Sequence, residues 1–113
     1  MTKEQKKHAD LLQGTLDMLI LRTLLYGPAH GRHIGKHIQR TTDDYLQMQH
    51  GSLYPALQRL VQKGWIDSEW RTTENNRRAK YYRLTTAGRR AATDEAAIWR
   101  RYVAAVDLIL HMA

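Results

Sequence analysis

The chain has 113 residues, 42% of them hydrophobic, enough for one compact core and too few for two domains of ordinary size. Eighteen Lys and Arg against eleven Asp and Glu give a formal net charge of +7, which favours a polyanionic partner, either nucleic acid or an anionic membrane surface. The absence of cysteine excludes a disulfide framework, a thiolate nucleophile and a cysteine-based zinc site, and no apolar run approaches the ~18 residues of a membrane span.

Met1 to Asp10 is a polar lead-in without the apolar stretch of a signal peptide, so a soluble, cytoplasmic protein with no membrane partner is expected. From Leu11 to Tyr26, Leu12, Leu16, Leu19, Ile20 and Leu24 recur at helical spacing, and Gly27-Pro28 ends the run. A second helix is predicted from about Gly31 to Arg40, with Ile34 and Ile38 inward and Arg32, Lys36 and Arg40 outward; Thr41 to Asp44 breaks it.

Residues 51 to 64 predict a third helix with two different faces. Leu53, Leu57, Leu60 and Val61 form one stripe for burial. The other face carries Ser52, Tyr54, Pro55, Gln58, Arg59, Gln62 and Lys63, groups suited to base edges, phosphates and thymine methyls. Pro55 is placed in the first turn, where no N–H is needed, and Gly64 at the closing C′ position. An ordinary amphipathic helix with a solvated face would look the same, so the flanking segments decide. Three helices with brief links have the order of a helix-turn-helix scaffold.

Trp65, Ile66, Ser68 and Trp70 then have strand character, Thr73-Glu74-Asn75-Asn76 reads as a turn, and Lys80 to Leu84 as a second strand. Arg71, Arg77, Arg78 and Lys80 cluster around that turn, where a wing could lay guanidinium groups on phosphates or into a narrow minor groove. Edge charges of this kind commonly only discourage sheet aggregation. Their combination with a polar third helix indicates a winged helix-turn-helix, mainly α with a small β-hairpin, over residues 1–85.

A long last helix is predicted over 86–113, capped by Thr85 or Thr86. Ala92, Ala96, Trp99, Val103, Val106 and Leu110 are spaced 4, 3, 4, 3 and 4, the alternation of a coiled-coil seam, with Tyr102 and Ile109 broadening the stripe. A homodimer through this helix is therefore expected.

With these residues in place the chain resembles the PadR family of bacterial transcriptional regulators, in the branch with a short, single-helix C-terminal part. The resemblance is carried by Gly14-Thr15-Leu16-Asp17, Gly27-Pro28 with His30-Gly31, Gly51-Ser52-Leu53-Tyr54-Pro55-Ala56-Leu57 with Arg59-Leu60 and Gly64, then Arg78, Tyr81-Tyr82, Leu84-Thr85 and Ala87-Gly88. It implies a homodimeric winged-helix protein, usually a repressor, that binds double-stranded DNA. By position, the DNA-contacting face falls on Ser52, Tyr54, Pro55 and Gln58 with Arg59 nearby, and the wing on Arg77, Arg78 and Lys80. It also implies small aromatic or cationic effectors near the dimer interface.

His30, His33 and His37 could aim three imidazoles from one helical face at a metal, with His50 as a fourth ligand. No carboxylate stands at matching spacing and neighbouring Arg and Lys would repel a cation, so no metal or cofactor is assigned. Trp99 offers a platform for a flat aromatic effector, although indole on such a stripe is more commonly interface packing. Ser52 lacks a recognisable His and acidic partner and no phosphate loop is present, which argues against an enzyme. The alternative is a basic, dimeric protein-interaction module without operator recognition.

Overall fold

The computed structural model describes residues 15–47 and 50–112. The lead-in, Leu12 and the His50 side chain lie outside the described residues. Helix α1 includes residues 15–24, with Leu16, Ile20, Leu21 and Leu24 buried. Buried Thr23 satisfies its hydroxyl by donating to the Leu19 carbonyl at 2.9 Å. A two-residue strand, β1 (Ala29–His30), follows and leads directly into α2 (Gly31–Thr41). Ile34 and Ile38 face inward from α2. His30 is its N-cap: Nδ1 accepts the His33 N–H at 3.1 Å, filling one of the donors a helix start leaves open.

Helix α3 (His50–Gln62) buries Leu53, Ala56, Leu57 and Leu60, while Val61 is half-buried at the edge of the core. Gly64, at φ +76°, follows its end. The position expected for Pro55 is corrected: at least five helical residues precede it, so it lies inside the helix and cannot donate to the Gly51 carbonyl. Gly51 is exposed.

Strands β2 (Ile66–Thr72) and β3 (Arg78–Leu84) form the hairpin, and β1 pairs with β3 to give the order β1-β3-β2, all antiparallel. Two residues are too few to show an alternating pattern, which is why β1 left no signal in the sequence. The pairs Ile66↔Leu84, Ser68↔Tyr82, Trp70↔Lys80 and Thr72↔Arg78 share one face. That face is apolar and packed at its base through Ile66, Tyr82 and Leu84, and becomes polar toward the tip.

Helix α4 (Thr86–Leu110) is capped by Thr85. The Thr85 hydroxyl accepts the Gly88 N–H at 3.0 Å and donates to the Gly64 carbonyl at 2.7 Å, while the Thr85 N–H donates to the Trp65 carbonyl at 3.0 Å. Gly88 is pressed onto that carbonyl so closely that an added Cβ would lie 1.8 Å from the oxygen. The first turns of α4 then supply Ala91 and Ala92 to the same core as α1 to α3, which therefore continues across residues 85 and 86. Ala92 and Ala96 are corrected as seam residues: they are 0% and 6% exposed within the chain, because the helix lies against its own domain there. Among the described residues no helix is long and apolar enough to cross a membrane.

Asp17 ties α1 to α3. Its carboxylate accepts Arg59 at 2.9 Å and stands 3.9 Å from the Lys63 ammonium, which also lies 4.6 Å from the centre of a Trp65 ring. Arg59 and Lys63, expected on the DNA-facing side, thus also have an anion within the fold, with 38% and 48% of their side chains exposed.

Three stability outcomes follow. Gly88→Ala, which drives a methyl into backbone that cannot rotate away, should destabilise the protein by about 1–3 kcal/mol or more. Gly51→Ala, with nothing within 4 Å of the new methyl, should be neutral or stabilising by up to about 1 kcal/mol. Chemical denaturation of the two variants checks the opposite signs. A double-mutant cycle on Asp17→Ala and Arg59→Ala should return a coupling of about 1 kcal/mol, limited because Arg59 is 38% exposed.

Candidate nucleic-acid interface

The buried stripe of α3 fixes what its other sides meet. Gly51, Pro55, Gln58 and Gln62 stand opposite the stripe and are exposed. Ser52, Arg59 and Lys63 lie on the flank toward Asp17, and Tyr54 lies on the other flank. There the Tyr54 ring packs over the start of α2: a Cβ at Gly31 would come 3.0 Å from Tyr54 Cε1 and 3.2 Å from its hydroxyl, so a larger residue would have to push the ring aside. Burial raises the Tyr82 phenol above the ordinary tyrosine pKa, and the nearby Tyr54 phenol adds to that. Tyr54 keeps 46% of its surface exposed.

The start of α2, Tyr54 and the hairpin enclose an open concavity of about 760 Å³. Arg32 and Lys36 line it from α2, and Arg77, Arg78 and Lys80 from the wing. None of these five cations joins an ion pair among the described residues. Five like charges around one hollow repel each other, and a line of phosphates would relieve that repulsion. The sequence placed Arg32 and Lys36 on the outside of the second helix but did not assign them to this surface. Their i, i+4 spacing was the available signal, and the missing fact was that the wing folds back over the same helix.

The wing holds its cations in place. The Thr73 N–H donates to the Arg77 carbonyl at 2.6 Å and the Asn76 N–H to the Thr73 carbonyl at 2.9 Å, with Asn76 at φ +57°. The hairpin's outer face is neutralised separately, by Arg83 on Asp67 at 2.6 Å and by an ion pair of Arg71 with Glu69. Arg71, grouped with the wing cations in the sequence, therefore belongs to the opposite face.

His30 stands between these parts. Its ring meets Tyr81 edge-on at 5.3 Å, and burial, with His33 and Arg32 adding, lowers its pKa below the usual histidine value. Its Nδ1 is already used as the cap of α2. His33 and His37 stack 6.4 Å apart on the same helix.

The far half of α4 presents a second surface. Val103 is half-buried, whereas Trp99, Tyr102, Val106, Ile109 and Leu110 are exposed, and the Trp99 and Tyr102 rings stack at 6.0 Å.

The sequence pattern of the Transcriptional regulator PadR-like family matches residues 20–94, from α1 into the first turns of α4. A PadR family transcriptional regulator from Eggerthella lenta DSM 2243 has a solved structure 30% identical in sequence, covering 96% of this chain and 93% of its own, with a TM-score of 0.79. A transcriptional regulator from Clostridium thermocellum is also 30% identical, covering 87% of this chain and 92% of its own, with a TM-score of 0.78. An uncharacterized protein of Lysinibacillus sphaericus is 28% identical over 102 residues, 90% of this chain and 94% of its own. With two thirds of its length matched by the family pattern and its fold shared nearly end to end, the chain belongs to the PadR-like family of transcriptional regulators.

Proposed function

We propose that this protein is a homodimeric, cytoplasmic repressor that binds an inverted-repeat operator. Membership of a regulator family already implies transcription regulation through DNA and a role other than catalysis. The observation that carries the finer reading is the cation-lined concavity beside the exposed side of α3. In this reading Ser52, Pro55 and Gln58 enter the major groove with Tyr54 at its edge. Arg77, Arg78 and Lys80 of the wing, joined by Arg32 and Lys36, take phosphates. Arg59 and Lys63 orient α3 through Asp17 instead of reading bases.

The far half of α4 pairs with a second copy through Trp99, Tyr102, Val103, Val106, Ile109 and Leu110, which gives these apolar side chains the burial they lack in one chain. Two recognition helices related by a dyad need half-sites related by the same dyad, about 10 base pairs apart. Trp99, stacked with Tyr102 at that seam, is the proposed contact for a small aromatic or cationic effector.

Arg77→Ala with Arg78→Ala tests the wing. Affinity for all duplexes should fall together, and the log–log salt slope should shrink by about 0.9 for each phosphate that an arginine no longer neutralises. A module that binds acidic proteins would show no steep salt dependence on random duplex in the first place. Val106→Asp tests the seam: carboxylates brought together in an apolar interface should leave a monomer in sedimentation, with operator affinity lower by far more than the removal of one arginine from a phosphate explains. A variant that stays dimeric, or a monomer that binds as tightly as the wild type, would overturn the assignment.

A further inference from the structure

We infer that Trp70 is itself a DNA-contacting residue, setting its indole against the deoxyribose carbons between the phosphates taken by Arg78 and Lys80. The inference rests on the DNA-binding reading and adds a contact of a different chemical kind. Trp70 is 59% exposed in a hairpin whose other exposed groups near the tip are polar or charged. It lies directly opposite Lys80, on the face that continues from the packed base of the sheet, and it lines the same concavity as Tyr54 and the wing cations. The Arg78 guanidinium carbon sits 5.5 Å from the centre of its ring.

Leaving so large an apolar ring in water is unfavourable, and on a hairpin edge it invites association. Among the described residues the contact with Arg78 covers it only in part, and more than half of the side chain stays exposed. Duplex DNA offsets that exposure, because its backbone alternates charged phosphates with apolar sugar faces. The wing combines the same two kinds of group, an aromatic face beside two cations, and the indole N–H can donate to a phosphate oxygen. Arginine on the ring also favours this arrangement, since a guanidinium can stay stacked on an indole while its outer N–H groups reach an anion.

A contact made through carbon displaces no counterions, so its signature differs from that of the arginines. In duplex titrations followed by fluorescence anisotropy of a labelled strand, Trp70→Ala should lose roughly 10-fold in affinity at every salt concentration, with the log–log slope unchanged. Trp70→Phe should keep most of the affinity. The change in intrinsic tryptophan fluorescence that duplex causes in the wild type should be largely absent from Trp70→Phe. Unchanged affinity in Trp70→Ala overturns the inference, as does a slope lowered by about 0.9 per subunit, the result expected if Trp70 only holds Arg78 in place. A fluorescence change retained in full by Trp70→Phe overturns it too. A wild-type protein without salt-dependent duplex binding would instead overturn the DNA-binding reading, and this inference with it.

Discussion

The rest of the structure depends on the junction at Thr85. One hydroxyl caps α4 through the Gly88 N–H and also donates to the Gly64 carbonyl, while the Thr85 N–H takes the carbonyl of Trp65. The end of α3 and the start of α4, separated in sequence by the whole hairpin, are therefore held at hydrogen-bond distance. The hairpin begins and ends at the same place, because Ile66 pairs with Leu84. Gly88 makes the arrangement unforgiving: with carbonyl oxygen where its Cβ would be, α4 cannot slide or roll without opening the joint. The end of α3, the base of the wing and the start of α4 are thus locked together at one joint.

Around α3 and the wing, two groups of cations differ in whether the fold pairs them. Arg59 and Lys63 meet Asp17, Arg71 meets Glu69 and Arg83 meets Asp67, so each has an anion within its own chain. Exposed pairs of this kind contribute little stability, yet they remove positive charge from the flank of α3 and the back of the wing. The five cations of the concavity, which join no such pair among the described residues, face one hollow. The formal charge of +7 alone would suit any polyanion. The grouping of five of these cations around the hollow that Tyr54 of α3 also lines is what favours duplex DNA in the proposed function.

Much of this was legible in the sequence where a repeating pattern existed. The stripe of Leu53, Leu57 and Leu60 gave α3, alternation gave the hairpin, and Thr85 was one of two candidate caps for α4. What was not legible shares a cause: it concerns partners distant in sequence. Nothing in α3 reveals that Arg59 meets Asp17, 42 residues earlier, so the ion pair was not legible. Heptad spacing runs unbroken from Ala92 to Leu110, but spacing does not say which turns lie over the helix's own domain. Side-chain size would have helped. Ala91, Ala92 and Ala96 permit the close approach that buries them, whereas from Trp99 onward the stripe is built of larger groups that stay partly or mostly exposed. β1 is two residues long, and only its partner Tyr81-Tyr82 defines it.

That change of size along α4 also limits how a signal could travel in the proposed dimer. Trp99 lies 14 residues beyond Thr85, about 20 Å along a continuous helix. Over that distance a helix transmits rotation and translation better than local rearrangement, and the first turns are immobilised by packed alanines and Gly88. A ligand between the two copies of Trp99 would therefore change little inside either winged domain. Its effect would fall on the angle between two rigid bodies, and so on the spacing of the two recognition helices. DNA half-sites fix that spacing along the helical repeat, and a small rotation at the seam is enlarged by the lever from α4 to α3. Control through geometry between subunits needs only differential affinity of the ligand for two seam angles, and leaves the reading face of each subunit untouched.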